Sequence, residues 1–150
     1  MPSYDPQNIS AKILRGELPC HKVYEDDKVL AFLDIMPRAP GHTLVLPKAP
    51  ARNILDVTPD DLAHVIKVAQ RIAKAAMKAF DAQGVTIQQF NESAGGQVVF
   101  HLHVHVIPRK DGAAMKPSRR FTPRRASGPC GTARATRAPR RQPPHGRVRA

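Results

Sequence analysis

The rhythm of apolar positions changes several times along the first 115 residues, and each change marks an element. "NISAKILRGE" (8–17) predicts a short helix ended by Gly16. "HKVYED" (21–26) and "KVLAFLD" (28–34) predict two strands joined at a tight acidic turn. "HTLVLPK" (42–48) predicts a third, bounded by "RAPG" before and "KAPA" after. Thr58 then offers an N-cap, Pro59 a first helical position, and Asp61 a capping-box-like partner. Leu62, Val65, Ile66, Ala69, Ile72, Ala73, Ala76, Met77 and Phe80 follow at the three-four spacing of one buried helix face, with Gly84 closing the helix. "VTIQQFN" (85–91) predicts a fourth strand, "ESAGG" a glycine-containing loop, and "QVVFHLHVHVIP" (97–108) a long fifth strand. That order predicts an α+β fold: a five-stranded, largely antiparallel sheet with one short and one long helix on one side.

A length of 150 residues suits one modest core. No apolar run approaches a membrane span. "MPSYDPQNIS" has no basic segment leading into an apolar one, so no secretory signal is expected and the cytoplasm is the expected compartment. Cys20 and Cys130 stand far apart and form no Cys-x-x-Cys pair, which argues against a disulfide framework or a cysteine zinc site.

The net charge of +12 suggests nucleic-acid binding until its distribution is read. Residues 1–115 carry 13 Lys/Arg against 12 Asp/Glu, whereas residues 116–150 carry 11 Lys/Arg and no acid. We therefore expect a near-neutral domain over 1–115 and a basic tail over 116–150. From Ser118 onward the tail has ten Arg, five Pro, five Ala and three Gly in 33 residues, and no Ile, Leu, Tyr or Trp. Such a composition buries too little apolar surface to offset ordering entropy, so disorder is expected. It reads as an inert extension, as an out-of-frame product of G/C-rich codons, or, ranked below both, as an arm for nucleic acid. Resequencing around codon 117 tests the second.

The chemistry concentrates in "FHLHVHVIPR" (100–109), where three of the chain's seven histidines fall at a spacing of two. On a strand, His101, His103 and His105 share one face, about 6.5–7 Å apart, and Leu102, Val104 and Val106 share the other. A histidine-rich exposed face is the plainest reading, but strict alternation on an apolar strand disfavours it. A metal site would need further ligands, and no cysteine lies near in the sequence. A neutral imidazole nucleophile would attack phosphorus with its second nitrogen held by an acceptor. The nearby "NESAGGQ" loop could then offer backbone N–H groups to phosphate oxygens.

"HLHVHVI" (101–107), together with "AFLDIMPRAPGHTLVLPK" (31–48) and "NESAGGQVVF" (91–100), resembles the histidine triad (HIT) superfamily, in its bacterial nucleotide-binding, Hint-like form. The likeness covers about residues 8–115. It implies a homodimer whose two sheets join into one of ten strands, and hydrolysis or transfer at the α-phosphate of a purine nucleotide without a cofactor. His103 would attack phosphorus, His101 and His105 would support it, and His42 would pack against the triad. Asp34 would accept from the ribose hydroxyls, Ile35 and Phe32 would line the base pocket beside Leu33, and Asn91 and Gln97 would contact phosphate. Many relatives bind structural zinc through a Cys-x-x-Cys at positions held here by Asn8 and Ala11, so no metal is expected. A serine that helps protonate amine leaving groups is replaced by Val98. The competing reading is a non-catalytic nucleotide-binding module acting through protein partners.

Overall fold

The computed structural model describes residues 3–114. The basic tail and Cys130 lie outside the described residues. The elements of the described residues are α1 (Ile9–Leu14), β1 (Lys22–Glu25), β2 (Val29–Leu33), β3 (Thr43–Pro47), α2 (Pro59–Ala79), β4 (Gly84–Gln88) and β5 (Val104–Arg109), with a 3-10 turn at Ser93–Gly95. The five strands pair antiparallel throughout, in the order β1-β2-β3-β5-β4.

Each expected element is present, and the tertiary arrangement explains where its limits differ. Thr58 caps α2 by accepting from the Asp61 N–H at 3.1 Å. Val65, Val68, Ala69 and Ile72 of α2 pack on Val29, Ala31, Val45, Val104 and Val106 of the sheet. Ile66 and Phe80, expected on that face, are exposed, and Val68 lies on it instead. The helix stops at Ala79, well before Gly84, which begins β4; the chain turns through Asp81, at φ 46°.

The helices lie on opposite faces of the sheet, not on one. Ile13 and Leu14 of α1 pack against Leu30, Phe32 and Leu46, which alternate with the residues under α2. Strand β2 is therefore covered on both sides, which is why "VLAFL" is apolar without alternation. Asp26 braces the acidic turn. Its Oδ1 accepts from the N–H groups of Lys28 and Val29 at 2.9 and 2.8 Å, and its Oδ2 lies 2.8 Å from His64 of α2.

Strand β5 is the largest revision. Expected over 97–108, it begins only at Val104, so His105 alone of the three histidines lies on a ladder. Upstream, the chain's hydrogen bonds go elsewhere: the Leu102 N–H donates to Ala51 O at 2.8 Å. No described helix is long and apolar enough to cross a membrane.

Candidate active site

His105 pairs with Leu44 of β3 and Gln88 of β4, on the sheet face opposite α2. Beside it, the turn before β3 delivers His42. The hydrogen-bond partners assign protons to these rings. A backbone N–H can only donate, so the Arg38 N–H, 3.2 Å from His42 Nδ1, makes that nitrogen the acceptor. The His42 proton then sits on Nε2 and is donated to His105 Nδ1 at 2.9 Å. This leaves the His105 proton on Nε2. Asp34 Oδ2 lies 3.3 Å from His42 Nδ1, and its Oδ1 accepts from the Met36 N–H at 2.9 Å.

His103 is assigned by the same logic. Its Nδ1 lies 2.7 Å from the His101 carbonyl oxygen, which can only accept, so the proton is on Nδ1. Nε2 then carries the lone pair and has no hydrogen-bond partner among the described residues. The rings of His103 and His105 meet edge to face at 4.9 Å. Phe90 closes on His105 in the same manner at 5.6 Å.

His101 is placed differently from a relay member. It is wholly buried, and both ring nitrogens are engaged. Nε2–H donates to Pro47 O at 2.9 Å, so Nδ1 accepts from the Tyr4 hydroxyl at 2.6 Å. Sequence reasoning missed Tyr4, for no local pattern ties it to a histidine 97 positions away.

Asn91 and Gln97 hold the loop in shape. Gln97 Oε1 accepts from the Glu92 N–H at 2.8 Å and from Asn53 Nδ2 at 3.2 Å, while Nε2 donates to the carbonyls of Arg52 and Val99 at 2.7 and 3.0 Å. Asn91 Oδ1 accepts from the Ile54 N–H at 3.0 Å, and Nδ2 donates to Gln89 Oε1 at 2.6 Å. Arg52, also missed, forks onto Glu92 at 2.9 and 2.8 Å and lies 4.0 Å over the Phe100 ring. The Arg52 guanidinium chiefly holds the Glu92 carboxyl down at about 2, against the effect of partial burial. Among the expected base-pocket residues, Ile35 is 72% exposed and Phe32 is buried against Leu30 and Leu46. Leu33 pairs with Thr43 and lies on the α2 face, away from the histidines. Val98 is 69% exposed.

Burial holds this group of rings neutral. It lowers His42 and His103 and takes His101 to about 4 and His105 to about 3, with His103 adding to the effect on both outer triad rings. The unfolded chain, with histidines near the ordinary 6.5, binds more protons than the folded chain once the pH drops below that value. Stability is therefore full above about pH 6.5 and falls as the pH is lowered toward the folded values. Between pH 7 and pH 5 we expect a loss of about 1–2 kcal/mol from each of His101 and His105. Urea denaturation at the two pH values reads it directly. A His105→Asn variant should lose correspondingly less; equal losses in variant and wild type would remove His105 from the account.

The comparisons with known proteins meet this geometry. The HIT domain model matches residues 15–112. The chain belongs to the histidine triad family. A HIT-like protein of Bartonella henselae, described as involved in cell-cycle regulation, is 55% identical; its crystal structure aligns over 78% of this chain and 89% of its own, with a TM-score of 0.74. Adenylylsulfatase HINT3 of Arabidopsis thaliana is 39% identical over 103 residues, which are 69% of this chain and 52% of that one. A zinc-bound histidine triad protein of Mycobacterium smegmatis is 38% identical, over 73% of this chain and 79% of its own, with a TM-score of 0.70. HIT proteins are generally nucleotide hydrolases or transferases, and this chain shares that broad, nucleotide-binding character.

The residues of this HIT chain do not fit the zinc site that the resemblance implies. Asn8 uses its side-chain oxygen to cap α1, accepting from the Ala11 N–H at 2.9 Å, and Ala11 has no donor to offer. The free nitrogen of His101 is taken by Tyr4. Asp34, His42 and His105 do place one ligand atom each within 4.8 Å of one another. The His42 nitrogens, however, are already bonded to His105 and the Arg38 N–H, an arrangement of a proton relay.

Proposed function

We propose that the chain cleaves a nucleotide at its α-phosphate through a nucleotidyl-histidine intermediate on His103. The observation that carries this reading is the bond of His103 Nδ1–H to the His101 carbonyl, which leaves Nε2 as an unprotonated nucleophile, without a partner among the described residues, in a neutral ring. Nε2 attacks phosphorus, and the bond to the leaving group breaks with its electron pair. The leaving group takes up a proton from solvent. The ring, now bonded through Nε2 to phosphorus and still protonated on Nδ1, carries a positive charge that the His101 carbonyl stabilises. Water then attacks phosphorus and gives a proton to solvent, the N–P bond breaks with its electron pair returning to Nε2, and the nucleoside monophosphate departs. His105, oriented by His42, presents Nε2–H to the phosphate oxygens.

In this reading Asp34 accepts from the ribose diol, since an ionised carboxylate offers acceptors only. The exposed Ile35 flanks the purine, Phe32 supports it from the core beneath, and the loop fixed by Asn91 and Gln97 borders the phosphate. Candidate substrates are an adenosine phosphoramidate, an aminoacyl-adenylate or a dinucleoside polyphosphate. The relative named as an adenylylsulfatase supports an adenylyl group as the part of the substrate that is bound. Val98 offers no hydroxyl to protonate an amine, which favours leaving groups that depart without such help. The test is AMP release from adenosine 5′-phosphoramidate, compared with its His103 variants.

A homodimer belongs to the same proposal, and edge chemistry favours β4 as its seam. Strand β1 carries Lys22 and Glu25 and an irregular register between Lys22 and Tyr24, features that discourage pairing. Strand β4, "GVTIQ", has no charge, and its Ile87 is exposed. Light scattering on the eluting protein should give twice the 16.5 kDa chain mass, and Ile87→Lys should shift it toward monomer. A monomeric wild type would sink the dimer.

A further inference from the structure

We propose that Tyr4 is a positioning residue for the nucleophile, acting through His101. The inference rests on His103 being the attacking group. Its starting point is that residues 101–103 lie outside the sheet ladder, since β5 begins at Val104. The His101 carbonyl, which fixes the His103 proton on Nδ1, is therefore not set by strand pairing. Three contacts of this stretch set it instead. The Leu102 N–H is held by Ala51 O at 2.8 Å, His101 Nε2–H by Pro47 O at 2.9 Å, and His101 Nδ1 by the Tyr4 hydroxyl at 2.6 Å.

Of these, the Tyr4 bond alone comes from outside the sheet and its adjoining loop. Tyr4 also meets the His101 ring edge to face, with centroids 5.6 Å apart and planes at 65°. The segment carrying it is tied to α1. The Asn8 side chain and N–H both donate to Asp5 O, at 2.6 and 3.3 Å, and Arg15 donates to Pro6 O at 2.8 Å. Without the hydroxyl, a wholly buried Nδ1 acceptor loses its donor. The His101 ring then turns or exchanges tautomers to recover a partner, its carbonyl shifts with it, and the His103 proton is no longer confined to Nδ1. The fraction of His103 with a free Nε2 lone pair falls. Tyr4 thus does for His101, by a hydrogen bond, what a metal would otherwise do by coordination.

The experiment uses the full chain, wild type and Tyr4→Phe, labelled with ¹⁵N-histidine. Long-range ¹⁵N–¹H spectra of the wild type should give His103 as one tautomer, protonated on Nδ1, and His101 as the other. Tyr4→Phe should turn the His103 signature into a mixture of tautomers. Its kcat for AMP release should fall about tenfold with KM held within about twofold, as expected for a displaced reacting atom in an intact binding site. Unchanged His103 nitrogen shifts in a folded Tyr4→Phe protein would overturn the proposal, as would a wild-type kcat. A drop in melting temperature with His103 shifts and per-folded-molecule kcat both unchanged would assign Tyr4 a structural role only and overturn it equally. If the wild type releases no AMP from the phosphoramidate, an aminoacyl-adenylate or a dinucleoside polyphosphate, the hydrolase reading fails, and the tautomer spectra alone decide whether Tyr4 sets the state of His103.

Discussion

Replacing His103 by alanine is expected to lower AMP release by about a thousandfold or more, the scale seen when a covalent nucleophile is removed and the surrounding site is left in place. The fold should survive. Among the described residues, the one hydrogen bond His103 makes is to the His101 carbonyl, and a bond of that kind contributes about 1 kcal/mol net. A second variant separates chemistry from structure. In His103→Asn the amide N–H can still donate to His101 O, so stability should move less, while the nitrogen is no longer nucleophilic and turnover should be equally lost. The readouts are AMP quantified by chromatography and folded fraction by urea denaturation. Either variant turning over within tenfold of wild type would remove His103 as nucleophile. A wild type that binds AMP through Asp34 without turnover would favour the binding-module reading instead.

The alternating histidines were legible because period-two spacing on an apolar segment is hard to produce without a buried opposite face. Leu102, Val104 and Val106 are indeed buried. Alternation did not reveal that the segment leaves the ladder before Val104, because an extended stretch held by loop carbonyls has the same pattern as a paired strand. It also hid the difference among the three rings: His105 belongs to a relay with His42, His103 is held by a main-chain carbonyl, and His101 is an anchor. Tyr4, Arg52 and Asn53 were invisible for a single reason. Their partners, His101, Glu92 and Gln97, lie 97, 40 and 44 positions away, and nothing in their neighbourhoods marks them. The placement of the helices on opposite faces was equally out of reach, since "VLAFL" states that both faces of β2 are covered but not by what.

Gly41→Ala is expected to cost about 2–4 kcal/mol of stability, combining left-handed backbone strain with overpacking. Gly41 follows Pro40 in a turn closed by the His42 N–H and Ala39 O at 3.1 Å, and its φ is +79°, the pattern of a type II turn with proline and glycine at its centre. A methyl group there would overlap Phe80 Cε2 and stand 2.6 Å from Cδ2 and Cζ. The glycine thus lets the turn before β3 lie directly on the end of α2. Phe80 is 38% exposed, so its ring can swing toward solvent and relieve part of the clash, but the backbone strain stays. A double-mutant cycle with Phe80→Ala separates the two: the coupling energy measures the clash, and the residual cost measures the turn. Activity should fall along with stability, because His42 is the next residue and its Nε2–H orients His105. Urea midpoints for the four proteins provide the check. A Gly41→Ala midpoint indistinguishable from wild type would mean that the turn and the helix end are free to separate, and that His42 is held by β3, His105 and the Arg38 N–H without them.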